Sequence, residues 1–132
     1  MATVYATRTN LQNLGLPATA LTGVPTDAQD EALAAASAVA DSNLRSRFTL
    51  PISSWGHDLT SAICHIAAWT ILSSRGFNPD SKNDSAVRMR HDDAIRWLER
   101  VADGKATPTL IDSNPVGVLR GPRVASKTPR GW

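Results

Sequence analysis

A single cysteine, Cys64, among 132 residues leaves no internal disulfide and no cysteine-built zinc site. Stability must therefore come from packing and from partners. Aromatic residues make up only 5% of the chain, and neither charge sign dominates. The 14 Lys plus Arg oppose 12 Asp plus Glu, and a net charge of +2 is too small to argue for nucleic acid. The longest uncharged apolar run, Leu59 to Ser74, has 16 residues interrupted by His, Thr and Ser, which is short of a membrane span. The first fifty residues lack the basic start, apolar block and small-residue cleavage site of a signal peptide. We expect a soluble protein of cytosolic origin. The length and a 42% hydrophobic content fit one small domain and exclude a multi-domain enzyme.

Catalytic patterns are equally scarce. His57, His65 and His91 never stand at i, i+4, and there is no HExxH, no glycine-rich phosphate loop and no GxSxG. Cys64 and His65 are neighbours, which on a helix turns them about 100° apart. We read them as a small core thiol beside a packed or hydrogen-bonded imidazole. His91, Asp92 and Asp93 stand among Arg88, Arg96 and Arg100, which suits ion pairing rather than acid–base chemistry. The expectation is a non-enzyme with no metal and no cofactor.

What the chain does have is helical patterning. Thr7 can cap a short helix through Leu11 and Leu14 that Gly15 ends, and Pro17 can start another turn through Leu21. Thr26 and Gln29 have capping-box spacing before a long helix. That helix has Asp27, Asp30 and Glu31 at its start and Arg45 and Arg47 at its end, and its buried face is Leu33, Ala36 or Ser37, Ala40 and Leu44. Phe48 to Ile52 should be an extended connection, because Pro51 disfavours helix at Leu50. From Asp58 to Ser74 no charge interrupts a helix that is apolar nearly all round, so it should be central. After a polar loop, Asn78 to Asn83, a last helix runs from about Asp84 to Asp103, with Gly104 as its cap. Its apolar stripe is Val87, Ala94, Leu98 and Val101, widened by Ile95 and Ala102. Asp84 with Arg88, and Asp92 with Arg96, stand at i, i+4 in the favourable order, each pair worth about 0.2 to 0.5 kcal/mol. Together with Arg100 they form a charged face suited to solvent or to another subunit.

The C-terminal stretch differs in kind. Residues 1–60 sum to −2, residues 61–103 to 0 and residues 104–132 to +4. Pro108, Pro115, Pro122 and Pro129 prevent a continuous helix there. So few large apolar groups remain that ordering this stretch, at about 1 to 2 kcal/mol per residue, requires something to pack against. Fully extended it spans up to roughly 90 Å at about 3.3 Å per residue. The reading is all-α: a bundle of two short N-terminal helices and three long helices or fewer over 1–104, then an extended arm over 105–132. Because the positive charge sits on the arm and not on a recognition helix, base reading is disfavoured. A small helical DNA-binding or regulatory protein is the alternative reading.

Four segments, in order, carry a resemblance: Val4-Tyr-Ala-Thr7; Asp41-Ser-Asn-Leu-Arg-Ser-Arg-Phe-Thr-Leu-Pro51; Arg90-His-Asp-Asp-Ala-Ile-Arg-Trp-Leu98 followed by Gly104-Lys105; and Pro122-Arg-Val-Ala-Ser-Lys-Thr-Pro-Arg-Gly-Trp132. They are similar to the Mu-like family of tailed-phage proteins assigned to the head-to-tail joint and called adaptor, connector or head-completion proteins. The resemblance implies a non-enzymatic virion protein. Such a protein forms a ring of identical subunits, usually twelve, beneath the portal protein in the neck, after assembly in the host cytoplasm. The ring extends the channel through which genomic DNA passes unread, and it docks the next neck or tail protein, with no membrane involved. The arm residues matched to the family pattern are Arg123, Val124, Arg130, Gly131 and Trp132. With the neighbouring Arg120 and Lys127 they are the expected portal-binding set, while Asp84, Arg88, Asp92, Arg96 and Arg100 are the expected inter-subunit face. Two positions depart from the pattern: His91 stands where Tyr is usual, and Trp132 where Phe is more common.

Overall fold

The computed structural model describes residues 3–75 and 82–112. Helices dominate, in the order α1 (Arg8–Asn10), a π-helical turn (Leu11–Gly15), α2 (Ala18–Leu21), α3 (Thr26–Leu44), α4 (His57–Arg75) and α5 (Lys82–Ala102). Two short strands, β1 (Ser54–Trp55) and β2 (Leu110–Ile111), pair antiparallel, with Ser54 opposite Ile111 and Trp55 opposite Leu110. The all-α expectation holds for the bulk of the described residues, which are mostly helical, and not for these two strands. The bundle carries a small sheet, which single-strand periodicity could not announce because each strand has only two residues.

α4 is the centre. Leu59, Ile63, Cys64 and Ala67 are fully enclosed, with Ala62, Ile66, Ala68 and Ile71 nearly so. A helix apolar on most of its circumference needs cover on several sides, and α3, α5 and the π-helical turn supply it. α3 turns Leu33, Ala36, Ser37, Ala40 and Leu44 inward, as its spacing predicts, and α5 buries Val87, Ala94, Leu98 and Val101. The many alanines of α3 let its backbone approach α4 closely.

The helix ends are set locally, with one difference from expectation. Thr7 and Asn10 form a reciprocal capping box, with the Thr7 hydroxyl accepting from the Asn10 N–H at 3.1 Å and the Thr7 N–H donating to Asn10 Oδ1 at 2.9 Å. Thr26 and Gln29 do not form one. Pro25 occupies the cap position without a side-chain bond. Gln29 is buried instead, and its amide reaches back 3.1 Å to the Val24 carbonyl. The helix starts one residue earlier than a Thr26 cap would allow, and so Thr26 lies inside it. α5 ends as foreseen. Gly104 has φ +83°, and the Gly104 and Lys105 N–H groups return to the Val101 and Arg100 carbonyls at 3.1 and 2.8 Å, a Schellman closure.

Residues 105–112, which composition assigns to the root of an arm that orders on a partner, run back over the body instead. Arg47 Nη1 donates to the carbonyls of Val101 and Ala106 at 2.8 and 2.9 Å. The Thr109 N–H donates to Asp58 Oδ2 at 2.8 Å, and the Thr49 N–H donates to Asp112 Oδ2 at 2.9 Å. The Ser53 and Gly56 N–H groups donate to the Ile111 and Thr109 carbonyls at 2.7 and 2.8 Å. Composition counts apolar side chains and is blind to such backbone bonds, which is why it placed the boundary at Gly104. The loop expected over 78–83 falls largely, and the arm over 113–132 wholly, outside the described residues.

The tightest backbone approach is at Gly15. A Cβ there would lie 2.9 Å from the Cys64 carbonyl oxygen and 3.2 Å from the Ala68 methyl. Gly15→Ala should therefore lower unfolding free energy by about 1 to 3 kcal/mol in urea titration, the usual cost of overpacking. A neutral result would show that the π-helical turn is not pressed against α4.

Candidate functional site

The reactive-looking pair is structural. Cys64 is enclosed, and burial pushes its thiol from an ordinary 9.0 up to about 12. His65 is half-buried one position on, close to the Leu14 backbone of the π-helical turn. Its pKa is lowered below 6.5 by burial first and by the Arg90 guanidinium second. A neutral imidazole thus packs against the N-terminal segment, and a protonated thiol fills core beside it. Among the described residues no cluster of three or more His, Cys, Asp and Glu could hold a metal ion.

The expected inter-subunit face is on α5, arranged differently from its spacing. Arg88, Asp92, Arg96 and Arg100 are exposed, while Asp84 is half-buried and lines a groove with Leu16, Pro17, Leu72 and Arg90. Asp92 does not pair with Arg96. It meets Nδ1 of His91 at 3.0 Å, and Arg96 takes Asp93, three residues back, at 3.0 Å. Both spacings bring side chains together on a helix, and rotamer choice decides between them. Met89, 66% exposed, lies among these charges. His91 leans on Trp69 of α4, ring centroids 5.8 Å apart, so this imidazole does the packing work of an aromatic ring.

Sequence reasoning missed a junction at Tyr5. Its N–H donates to Ser37 Oγ at 3.1 Å, and its carbonyl accepts from Thr60 Oγ1 at 2.9 Å. Its hydroxyl donates to the Asp41 carboxylate. Its ring meets Trp55 edge-on at 4.9 Å. One residue therefore joins the N-terminal segment to α3, α4 and β1. Burial, and then the Asp41 carboxylate, raise its phenol above the ordinary value of 10.0. The signal was present in the Val4-Tyr and Asp41 segments, but nothing in the spacing says that they touch. The portal-binding set Arg120, Arg123, Val124, Lys127, Arg130, Gly131 and Trp132 lies outside the described residues.

These shifts have a pH consequence. A histidine whose folded pKa is depressed favours the fold while neutral, so its contribution is intact above about pH 6.5 and is lost as pH falls through the lower folded value. Thermal midpoints measured between pH 7.5 and 5 should decline, and His65→Gln should flatten that decline. An unchanged slope would remove His65 as the cause. The raised Cys64 thiol acts at the other end, with stability complete below pH 9 and lost as pH climbs toward 12. At pH 8 the native thiol should resist aromatic disulfide reagents that label the urea-unfolded chain at once.

Among the described residues no helix is long and apolar enough to cross a membrane. Residues 5–124, which take in the whole fastened body and part of the basic stretch, match the family described as Bacteriophage Mu, Gp36. The chain is also similar to "Gene product J" of Escherichia phage Mu, at 39% identity over 135 residues, covering 96% of this chain and 90% of that protein. The Tyr5 junction, Arg47 and the returning segment 105–112 all fall within that match, and the chain belongs to the Bacteriophage Mu Gp36 family as a Mu-like phage protein.

Proposed function

We propose that this protein is a non-catalytic head-to-tail connector of a tailed phage. In this reading identical subunits, twelve by the family resemblance, form a ring under the portal protein. The ring extends the DNA channel in the neck and offers its lower surface to the next neck or tail component. The observation that carries the reading is the match to a Mu phage family over residues 5–124, nearly the whole chain. The body agrees with it, because its one thiol and its most perturbed histidine are committed to packing. The charged outer face of α5 is the surface we assign to lateral contact, since alternating signs reward one register between neighbours and penalise others. Lys127, Arg130, Gly131 and Trp132, at the end of the basic stretch, are assigned to the portal; Arg120, Arg123 and Val124, which the resemblance also points toward the portal, are taken up below. Many weakly held arms acting together hold firmly.

The fold refines the experiment. A chain cut after Gly104 would lose β2 and the bonds to Asp58 and Arg47, confusing arm loss with damage to the body. Cutting after Asp112 keeps them. Co-sedimentation with the purified portal ring should recover the whole chain and not the chain ending at Asp112. Equal recovery of both would move the contacts to the helical body. Recovery of neither, with salt-sensitive duplex binding, would overturn the connector reading in favour of a regulatory protein. Trp132→Ala should weaken portal assembly by about 2 kcal/mol or more, as loss of a buried aromatic anchor does. Its thermal midpoint should match that of the parent chain.

A further inference from the structure

Between α3 and the end of α4 lies an open groove of about 370 Å³. Its floor is apolar and shallow-sided, made by Val24, Ala28, Ala32, Ala35 and Ile71. Small residues leave the room. Glu31 stands on one lip, with Asp27 one turn earlier on the same face, and both are exposed. Asp30 beside them holds Arg8 at 3.2 Å. The hydroxyl residues Thr70 and Ser74 form the other lip. Such a groove fits an extended segment carrying aliphatic side chains and bases.

This chain contains one. Residues 113–132 hold Arg120, Arg123, Lys127 and Arg130 without a single Asp or Glu. Val116, Val118, Leu119 and Val124 are interleaved with the first two bases, and Pro122 keeps the segment from closing into a helix. The 20 residues beyond Asp112 reach about 66 Å at ~3.3 Å each. Asp112 is fastened near the start of α4, through Thr49 and the β1–β2 pair, whereas the groove is at the other end. From Asp58 to Ile71 the helix rises about 20 Å. Folding back onto its own groove would need the six residues from Ser113 to Val118 drawn almost straight along the body. A neighbouring copy removes that demand. Root and groove at opposite ends also make the contact head-to-tail, the arrangement that closes a ring.

We propose that the α3–α4 groove receives residues 116–124 of a neighbouring copy, with Val118 and Leu119 on its floor and Arg120 against Glu31. This rests on the ring reading above and adds to the α5 face a second surface that links its subunits; residues 127–132 stay with the portal.

The test uses full chains. Ala35→Cys and Val118→Cys variants, mixed and oxidised, should give a covalent heterodimer, and neither variant alone should. The double variant should give a ladder of covalent multimers, whereas a disulfide-closed monomer at every protein concentration would overturn the neighbour contact. Rings visible by electron microscopy without any Ala35–Val118 bridge would overturn the groove while leaving the connector reading intact. A ladder without portal co-sedimentation would leave the groove and sink the connector. Multimers absent in every condition would sink both. Separately, Glu31→Lys should weaken multimer formation at least tenfold, with recovery on adding Arg120→Glu. An unchanged assembly constant in Glu31→Lys would also overturn the proposal.

Discussion

Everything in this fold answers to one helix that cannot face water. From Leu59 to Ile71 the apolar residues of α4 lie on nearly every side, so it is stable only when wrapped. α3 brings a face of alanines and leucines, α5 brings Val87 to Val101, and the π-helical turn presses Gly15 against the α4 backbone. The wrapping is what makes the small aromatic content sufficient, since close packing of alanines recovers by contact what large rings would recover by area.

Polar bonds then decide what the apolar core leaves free. An Ala-rich interface tolerates sliding, because small side chains interlock weakly. Tyr5 removes that freedom at one end by bonding Ser37, Asp41 and Thr60 at once. Arg47, just past the end of α3, adds to the hold at that same end, satisfying the Val101 carbonyl at the end of α5 and the Ala106 carbonyl beyond it. In the first turn of α4, Asp58 accepts from the Leu59 N–H at 2.9 Å and catches the Thr109 N–H with its other oxygen. These ties bring residues 105–112 back across the body and fix Asp112 near the start of α4. Asp112 and the acidic apolar groove lie toward opposite ends of α4, which gives the body two different ends.

The thiol, the most perturbed histidine and the phenol all have shifted acidities for structural reasons: burial for Cys64 and His65, burial and a carboxylate for Tyr5. The surface chemistry is that of charge pairs. On α5 these pairs are exposed and individually weak.

By itself the sequence determined what is local or periodic. The Thr7 cap, the stop at Gly104, the inward faces of α3 and α5 and the central place of α4 were all legible, because a 3.6-residue repeat and a capping side chain act within a few residues. The same holds for the basic character of the stretch after Gly104. Tertiary structure decided what depends on distant groups meeting. Gln29 turned from a capping partner into a buried side chain because Val24 offered it a carbonyl. Asp93 won Arg96 from Asp92, which sits against His91. The two-stranded sheet and the return of residues 105–112 rest on bonds spanning 51 to 63 residues, from Asp58 to Thr109 and from Thr49 to Asp112. No pattern along the chain encodes such bonds, since a backbone N–H carries no sequence signature and finds its acceptor only when the body around it has already folded.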